Sequence, residues 1–286
     1  MDESSARSGS LILVATPLGN LGDITRRAVS VLTHADVIYC EDTRRTRALL
    51  SALEIPSAGR LVALHAHNEA QLSQRVLADV AAGRQVALVS DAGTPGISDP
   101  GARVVAAVAG AGLNVSTAPG ASAVLGALCV SGLDTEHFVM DGFVPRRAGE
   151  RRDLFAAWSR EPRTIVAFES PQRLCATLEE LAALFPERSA AVVRELTKLH
   201  EEVQRGTLAE LAARFAAREV RGEVVLVLAG APRAHVDEQS VREALRERLE
   251  AGASVRDAAS EVAARLGVAH RVAYELALAL RPGTSA

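Results

Sequence analysis

The segment Asp91–Gly101 constrains the fold of this chain more than any other stretch. It follows a short apolar run, Gln85–Ser90, and precedes a second apolar run with helical character, Ala102–Ala111. This order predicts a strand, then a loop of glycine, proline and acidic residues, then a helix. A plain connection in an α/β unit needs only about two to six residues. Because ligands bind above the strand ends of an open α/β sheet, the longer loop predicts a binding site.

Apolar runs of strand length alternate with helix-like stripes through the first half of the chain. Leu11–Ala15, Val37–Cys40 and Leu61–Leu64 are almost wholly apolar, as buried parallel strands are. We expect Asp23 to cap the first helix. Strands that alternate with helices in this way predict an α/β fold with a mainly parallel sheet.

A second block of strands and helices begins near residue 135. Ala190–Leu196 and Glu201–Gly206 are separated by a short turn, which predicts a mixed, partly antiparallel sheet in a second α/β lobe. Thr207 and Glu210 form a capping-box pattern. Beyond it, two helical stretches joined by Leu266–Val268 have helix-turn-helix spacing, with a helical cap or dimerisation element as an equal alternative. The predicted domains are a flexible tail (1–10), two lobes (11–134 and 135–232) and a small helical tail (237–286).

Composition excludes several classes of protein. Aromatic residues make up only 3% of the 286 residues, which argues against a stacking surface for single-stranded nucleic acid. The net charge of -3 excludes a globally basic nucleic-acid binder but allows a local basic patch. Cys40, Cys129 and Cys175 lack metal-ligand spacing, so neither a metal site nor a disulfide framework is predicted. With no signal-peptide core and no apolar stretch of bilayer length, a cytoplasmic protein without membrane association is expected.

The common nucleotide-binding fingerprints are missing from the sequence. Neither GxxxxGK[ST] nor GxGxxG after a strand occurs, so a nucleoside-type ligand is not held in the usual dinucleotide manner. The glycine-rich and proline-rich material is dispersed over four loops instead. These loops are Thr16–Asp23, Asp91–Gly101, Pro119–Ala123 and Gly142–Pro145.

A set of short motifs extends from about Leu11 to Gly230. The motifs are Leu13–Asp23, Cys40–Arg44, His67–Glu69, Ser90–Gly101, Pro119–Ala123, Phe168–Pro171, Arg194–Lys198 and Gly222–Glu223. Together they resemble the tetrapyrrole-methylase superfamily, and within it the branch that methylates a cytidine 2′-hydroxyl in 16S ribosomal RNA. Gln172 departs from the histidine that this branch usually carries, which counts against a catalytic role for that side chain.

The resemblance implies that S-adenosylmethionine binds in a cleft between two α/β lobes, usually in a homodimer, and that the partner is the small ribosomal subunit. On matching positions it places eight residues near the cofactor: Pro17, Asp91, Gly93, Ile97, Ser122, Ala123, Phe143 and Leu174. Ordinary core packing is the alternative for Ile97, Phe143 and Leu174, and helix capping for Ser122.

Methyl transfer to a sugar hydroxyl is helped by a nearby base, because the neutral hydroxyl is a poor nucleophile. The catalytic candidates are Glu41, Asp42, Glu169, Glu195, Lys198 and His200. Capping or arginine pairing is the alternative for Glu41 and Asp42, pairing with Arg194 or Lys198 for Glu195, and a solvated turn for His200. Lys198 is the only lysine of the chain, and an amine can lose its proton where guanidinium cannot. A general bias toward arginine is the simpler explanation.

Arginines cluster in two segments of the sequence. Arg44 and Arg45, and further on Arg146 and Arg147, are candidate RNA contacts, because the guanidinium fork binds phosphate well. A solvated helix face balanced by acidic residues is the alternative. Two other functions stay open: a related enzyme with a tetrapyrrole or diphthine-type acceptor, and a non-catalytic RNA-binding assembly protein.

Overall fold

The computed structural model describes residues 8–57, 59–232 and 238–280. The chain forms two compact units, Met1–Gly230 and Ala231–Ala286. Most of the expected N-terminal tail, residues 1–7, lies outside the described residues, and Ser10 is already part of the first strand. The predicted boundary between the two lobes, at 134/135, falls inside the first unit and stays a prediction.

The first sheet has five parallel strands, which confirms the predicted fold class. They are β1 (Ser10–Val14), β2 (Val37–Cys40), β3 (Leu61–Ala63), β4 (Gln85–Val89) and β5 (Asn114–Ala118), in the order β3-β2-β4-β1-β5. The helices of this lobe are α1 (Arg26–His34), α2 (Thr43–Ala52), α3 (Glu69–Ala81), α4 (Ala102–Gly110) and α5 (Ala123–Ser131). All strands run the same way, so their carboxyl ends and the loops that follow share one edge.

Side-chain caps fix where two of these helices begin. The hydroxyl of Ser122 accepts a hydrogen bond from the amide of Leu125 at 3.4 Å, as its alternative interpretation expects. The prediction for Asp23 is wrong, because Asp23 lies in a short 3-10 turn that precedes the helix. Thr25 caps α1 instead, and its hydroxyl accepts from the amide of Ala28 at 3.1 Å.

The second sheet is mixed, as predicted. Its strands are β6 (Phe138–Phe143), β7 (Thr164–Glu169), β8 (Ser189–Arg194), β9 (Glu202–Thr207) and β10 (Val224–Leu228), in the order β6-β7-β10-β8-β9. Only the β6–β7 pair is parallel. The helices of this lobe are α6 (Ala148–Trp158), α7 (Leu174–Leu184) and α8 (Leu208–Phe215). The capping box of Thr207 and Glu210 at the start of α8 is confirmed.

Helix α5 joins the two lobes through shared packing. Alternate residues of a strand face opposite sides of the sheet, and in β10 Leu226 packs into the core formed with α7 and α8. Val225 and Val227 face the other way and pack with Val124 and Leu128 of α5. The last helix of the first lobe, α5, therefore covers one face of the second sheet. This packing places the loops that follow the parallel strands beside the second lobe.

The second unit consists of helices in the residues that the structure describes there. They are α9 (Glu238–Glu250), α10 (Val255–Leu266) and α11 (His270–Ala279), as the sequence predicts. Gly267, with φ 66°, ends α10 in the left-handed conformation that favours glycine. Across the described ranges, no helix combines the length and apolarity needed to cross a membrane.

Candidate functional site

Residues of both lobes line a cavity of about 370 Å³. The first lobe contributes the loop after β4 and the start of α5, and the second contributes Phe143, the end of β7 and Gly222–Glu223. Small-molecule sites usually have volumes of about 300–1,000 Å³. The cavity therefore has the size of a small-molecule site, at the edge of the sheet where the sequence predicts one.

Two backbone hydrogen bonds and one from a side chain bring three of the predicted binding loops together. Thr16 and Gly93 exchange two such bonds, each 2.9 Å long, which ties the loop after β1 to the loop after β4. The hydroxyl of Thr94 donates to the carbonyl of Ala121 at 3.1 Å, which adds the loop after β5. The dispersed loops therefore converge on one cavity.

The far end of the glycine-rich loop is held by Glu69 at the start of α3. One carboxylate oxygen of Glu69 accepts from the amide of Gly101 at 2.9 Å and from that of Arg103 at 3.0 Å. These amides belong to the start of α4, where unpaired N–H groups and the helix dipole favour negative charge. Glu69, the last residue of the motif His67–Glu69, thus stabilises the loop from a neighbouring helix.

Six of the eight predicted cofactor residues line the cavity. They are Asp91, Gly93, Ile97, Ser122, Ala123 and Phe143. Pro17 is not among the lining residues, although the next residue, Leu18, is. Leu174 is fully buried in the core of the second lobe and does not line the cavity, so core packing, the alternative, describes it. Ile97 and Phe143 remain 49% and 60% exposed, which leaves apolar surface open to a ligand.

Gly93 occupies a position that a side chain would disturb. Its φ is 80°, and a β-carbon there would lie 3.3 Å from Cδ2 of Leu18. L-residues with side chains rarely adopt this backbone conformation. Glycine therefore lets the loop turn tightly at the cavity wall.

The carboxylates of Asp91, Asp99 and Glu41 interact electrostatically beside the cavity. Asp91 accepts from the amide of Asp42 at 3.0 Å and lies 3.5 Å from Nη1 of Arg45. Partial burial and the charge of Glu41 raise the pKa of Asp99 to about 6. Burial and the charge of Asp91 likewise raise the pKa of Glu41. Asp99 is not among the site residues predicted from the sequence, although it lies within the loop Asp91–Gly101.

Asp42 acts as a helix cap in the structure. Its carboxylate accepts from the amide of Arg44 at 2.8 Å and pairs with the guanidinium of the same residue at 2.7 Å. These hydrogen bonds from Arg44 hold the pKa of Asp42 well below its usual range. A carboxylate held so firmly in its ionised form is a weak base, and the alternative interpretation as a capping and pairing group describes it better.

Glu169 borders the cavity, but its side chain is fully buried. It accepts from the amide of Ser170 and from the hydroxyl of Thr177, both at 2.6 Å. Arg173 pairs with it at 2.5 Å and also donates to the carbonyl oxygen of Val144 at 2.7 Å. These contacts indicate a brace for the loop after β6, and they leave Glu169 poorly placed to receive a proton from a substrate.

Glu195 and Lys198 form an ion pair with an N–O distance of 2.8 Å, and Lys198 also pairs with Glu223 at 3.1 Å. Partial burial disfavours the charged amine, but the two carboxylates outweigh it and raise the pKa of Lys198. The hydrogen bond from Lys198 lowers the pKa of Glu195. Its two carboxylate partners stabilise the ammonium, which argues against a Lys198 that loses its proton. Of these three residues, Glu223 lines the cavity.

The arginine candidates lie at the surface. The side chains of Arg44, Arg45 and Arg147 are 85%, 65% and 84% exposed, and Arg146 is exposed as well. Arg45 also lines the cavity. Exposed ion pairs such as the one between Arg147 and Glu150 contribute little free energy. These guanidinium groups can therefore exchange their present partners for phosphate at small cost.

His200 is exposed at the turn between β8 and β9, as its alternative interpretation expects.

Comparison with known proteins agrees with this architecture. Residues 10–212 match the family model of tetrapyrrole (corrin/porphyrin) methylases. A protein of Synechocystis sp., ribosomal RNA small subunit methyltransferase I, is 44% identical over 95% of this chain and 98% of its own length. A protein of the same name from Mycobacterium tuberculosis is 47% identical over 97% of each chain.

A solved structure shows the same fold at lower identity. Uroporphyrin-III C-methyltransferase from Thermus thermophilus, in complex with S-adenosylhomocysteine, is 22% identical. It aligns with a TM-score of 0.54 over 77% of this chain and 97% of its own. Taken with the cavity between the two lobes, these similarities show that the chain belongs to the tetrapyrrole methylase family, in the branch formed by the ribosomal RNA small subunit methyltransferase I proteins.

Proposed function

We propose that this protein is an S-adenosylmethionine-dependent methyltransferase that modifies 16S ribosomal RNA of the small ribosomal subunit, at the 2′-hydroxyl of a cytidine. The observation that carries the proposal is the cavity between the lobes, most of whose lining lies within the residues that match the family. The RNA substrate is supported by the name of relatives that are 44% and 47% identical over nearly the whole chain.

The cavity suits a cationic nucleoside of this kind. Ile97 and Phe143 offer apolar surface, and Asp91 and Asp99 offer negative charge that complements a sulfonium. We propose that Asp91, Gly93, Ile97, Ser122, Ala123 and Phe143 hold the cofactor, largely through backbone groups. When bound, S-adenosylmethionine supplies the methyl group. The protein contributes orientation, because in-line displacement depends on alignment of the acceptor oxygen with the methyl carbon.

The exposed arginines are proposed contacts of the RNA strand. Arg45 joins the cavity to the surface and lies on the same helix as Arg44. Arg146 and Arg147 follow the loop after β6 in the other lobe. Two basic segments, one in each lobe, could thus hold RNA phosphates while one nucleotide enters the cavity, and such binding should weaken as salt concentration rises.

Transfer of a radiolabelled methyl group tests the proposal. Purified protein is incubated with labelled S-adenosylmethionine and small subunits that lack the modification, and in parallel with uroporphyrinogen III and a diphthine precursor. We expect label in 16S RNA, on the ribose of a single cytidine after nuclease digestion. Label on a base would reject the 2′-hydroxyl as acceptor, and label only in a small-molecule or protein acceptor would reject the RNA substrate.

A homodimer in the cytoplasm is part of the same proposal, because the family resemblance implies it. Sedimentation equilibrium of the purified chain measures its mass in solution. A mass of one chain at micromolar concentration, with full methyl transfer, would reject the dimer while leaving the activity intact.

A further inference from the structure

The turn between β8 and β9 has an unusual backbone. Glu195 has a φ of 50° and Thr197 a φ of 65°, although neither is glycine. The turn is closed by a hydrogen bond from the amide of Lys198 to the carbonyl of Glu195, at 3.0 Å. Glu201 accepts from the amide of Thr197 at 2.6 Å. Strain of this kind persists only where the surroundings hold it, and it clusters at functional sites.

Leu196 lies between the two strained residues and Lys198 follows them. Both side chains pack on glycines of the first lobe. A β-carbon on Gly126 would lie 2.6 Å from Cδ2 of Leu196, and one on Gly19 would lie 2.5 Å from Cγ of Lys198. Real β-carbons essentially never approach so closely. Because both glycines lack a side chain, Leu196 and Lys198 have space to pack there. This packing holds the turn against the first lobe.

The same turn holds Glu223 through two independent contacts. Oε1 of Glu195 accepts from the amide of Glu223 at 2.9 Å, and Nζ of Lys198 donates to Oε2 of Glu223 at 3.1 Å. The side chain of Lys198 is 24% exposed, whereas that of Glu223 is 64% exposed. Glu223 lines the cavity and Lys198 does not. The lysine is thus anchored on both lobes and acts on the cavity through the glutamate.

We propose that Lys198 is a positioning residue that holds the carboxylate of Glu223 at the cavity so that it accepts a hydrogen bond from the acceptor hydroxyl. The proposal rests on the proposed function and names a residue for it. An ionised carboxylate only accepts hydrogen bonds and has about four lone-pair sites, so the bond from Lys198 leaves capacity for a hydroxyl. An exposed glutamate without this partner would sample several rotamers, and the acceptor oxygen would lose its alignment with the methyl carbon.

Three measurements on each variant test this role. They are single-turnover methyl transfer to unmodified small subunits, cofactor affinity by calorimetry, and thermal melting. Glu223→Gln and Lys198→Met are expected to slow transfer by about 10- to 100-fold, the range that misplacement produces. Cofactor affinity should stay within about twofold and melting should change little. Lys198→Arg should recover part of the rate, because guanidinium can also pair with both carboxylates.

Arg163→Met is the matched control. It removes a cation that pairs with Glu161 at 2.7 Å, just before the first residue of β7, whereas the cavity lies at the other end of that strand. We expect wild-type transfer from this variant.

The possible results separate the inference from the function on which it rests. Full transfer by Glu223→Gln, with RNA labelled by the wild type, overturns the inference and keeps the function. Parallel losses of transfer, affinity and melting temperature in Lys198→Met show a merely structural role and also overturn it. No labelled RNA with the wild type overturns both.

Discussion

Arg173 and Glu169 form an ion pair 2.5 Å long beneath the cavity, in which the carboxylate is fully buried. The same guanidinium donates to the carbonyl oxygens of Val144 and Pro145, at 2.7 and 3.0 Å. The pair therefore connects the end of β7 with the loop after β6, next to Phe143. The ion pair therefore stabilises the wall of the cavity.

Glu169→Gln is expected to destabilise the protein rather than to abolish turnover selectively. The variant leaves Arg173 without its buried counter-charge, and one-sided loss of a buried pair costs about 3 kcal/mol. Denaturant unfolding measures this loss, with Glu179→Gln on the exposed face of α7 as a control expected to change stability by less than about 0.5 kcal/mol. Unchanged stability with lost turnover would instead favour Glu169 as the catalytic base.

Gly126→Ala should destabilise the protein although alanine is the better helix former. Alanine gains about 1 kcal/mol over glycine within a helix such as α5. Its β-carbon would displace Leu196, however, and such overpacking costs about 1–3 kcal/mol. We expect a net loss of about 1 kcal/mol, measured by thermal melting.

Gly149→Ala in α6 is the matched control for that substitution. A β-carbon at Gly149 meets nothing within 4 Å, so this variant should be neutral or more stable. Equal effects of the two substitutions would show that Leu196 moves away freely, and that the packing of the turn on α5 contributes little.

The loops of the site could be predicted from the sequence because the residues within and beside each loop indicate its position and its turns. Apolar runs show where strands end, and glycine and proline show where the backbone must turn, as in Asp91–Gly101. The convergence of these loops follows from the parallel order of the strands. Helix caps are less certain from sequence, since both Asp23 and Thr25 can cap and only the 3-10 turn decides between them.

The chemistry of individual carboxylates could not be predicted in the same way. Glu169 and Glu195 both lie at or near the ends of strands, but their roles depend on ion pairs with Arg173 and Lys198. Asp99 acquires its raised pKa from burial and from Glu41, which follows a different strand. Such effects depend on distances between separate elements, and no local pattern records them.

Gly93→Val should lower cofactor affinity and also reduce stability. At a φ of 80° a β-branched residue is strained, and its β-carbon would press on Leu18 at the cavity. We expect a loss of at least about tenfold in affinity by calorimetry, equivalent to about 1.4 kcal/mol.

Gly112→Val separates these two effects. Gly112 has a similar φ of 72°, but a β-carbon there meets nothing within 4 Å and the residue does not line the cavity. This control should lose stability and keep affinity. If Gly93→Val binds the cofactor as tightly as Gly112→Val does, the loop after β4 is not a cofactor contact.

The pH dependence of stability should report on Asp99. Its pKa is about 6 in the folded protein, through burial and the charges of Glu41 and Asp91, against about 3.9 in an unfolded chain. Between these values the folded state retains a proton that the unfolded state has lost. The stability that Asp99 contributes is therefore complete below about pH 4 and is lost as the pH rises through about 6. Solvent screening of this partly buried group limits the effect to about 1 kcal/mol.

Asp99→Asn removes the titrating group, so the variant should lose less stability than the wild type between about pH 4 and 6 and should be the more stable protein at pH 7. Thermal melting of the cofactor-free protein across this range measures the difference, with the exposed Asp153→Asn on α6 as the control. The slope of the wild type should be reduced rather than abolished, because Glu41 also has a raised pKa and remains in the variant. Identical pH profiles for wild type and Asp99→Asn would mean that Asp99 titrates as an ordinary carboxyl, and its side chain would then be negatively charged at pH 6.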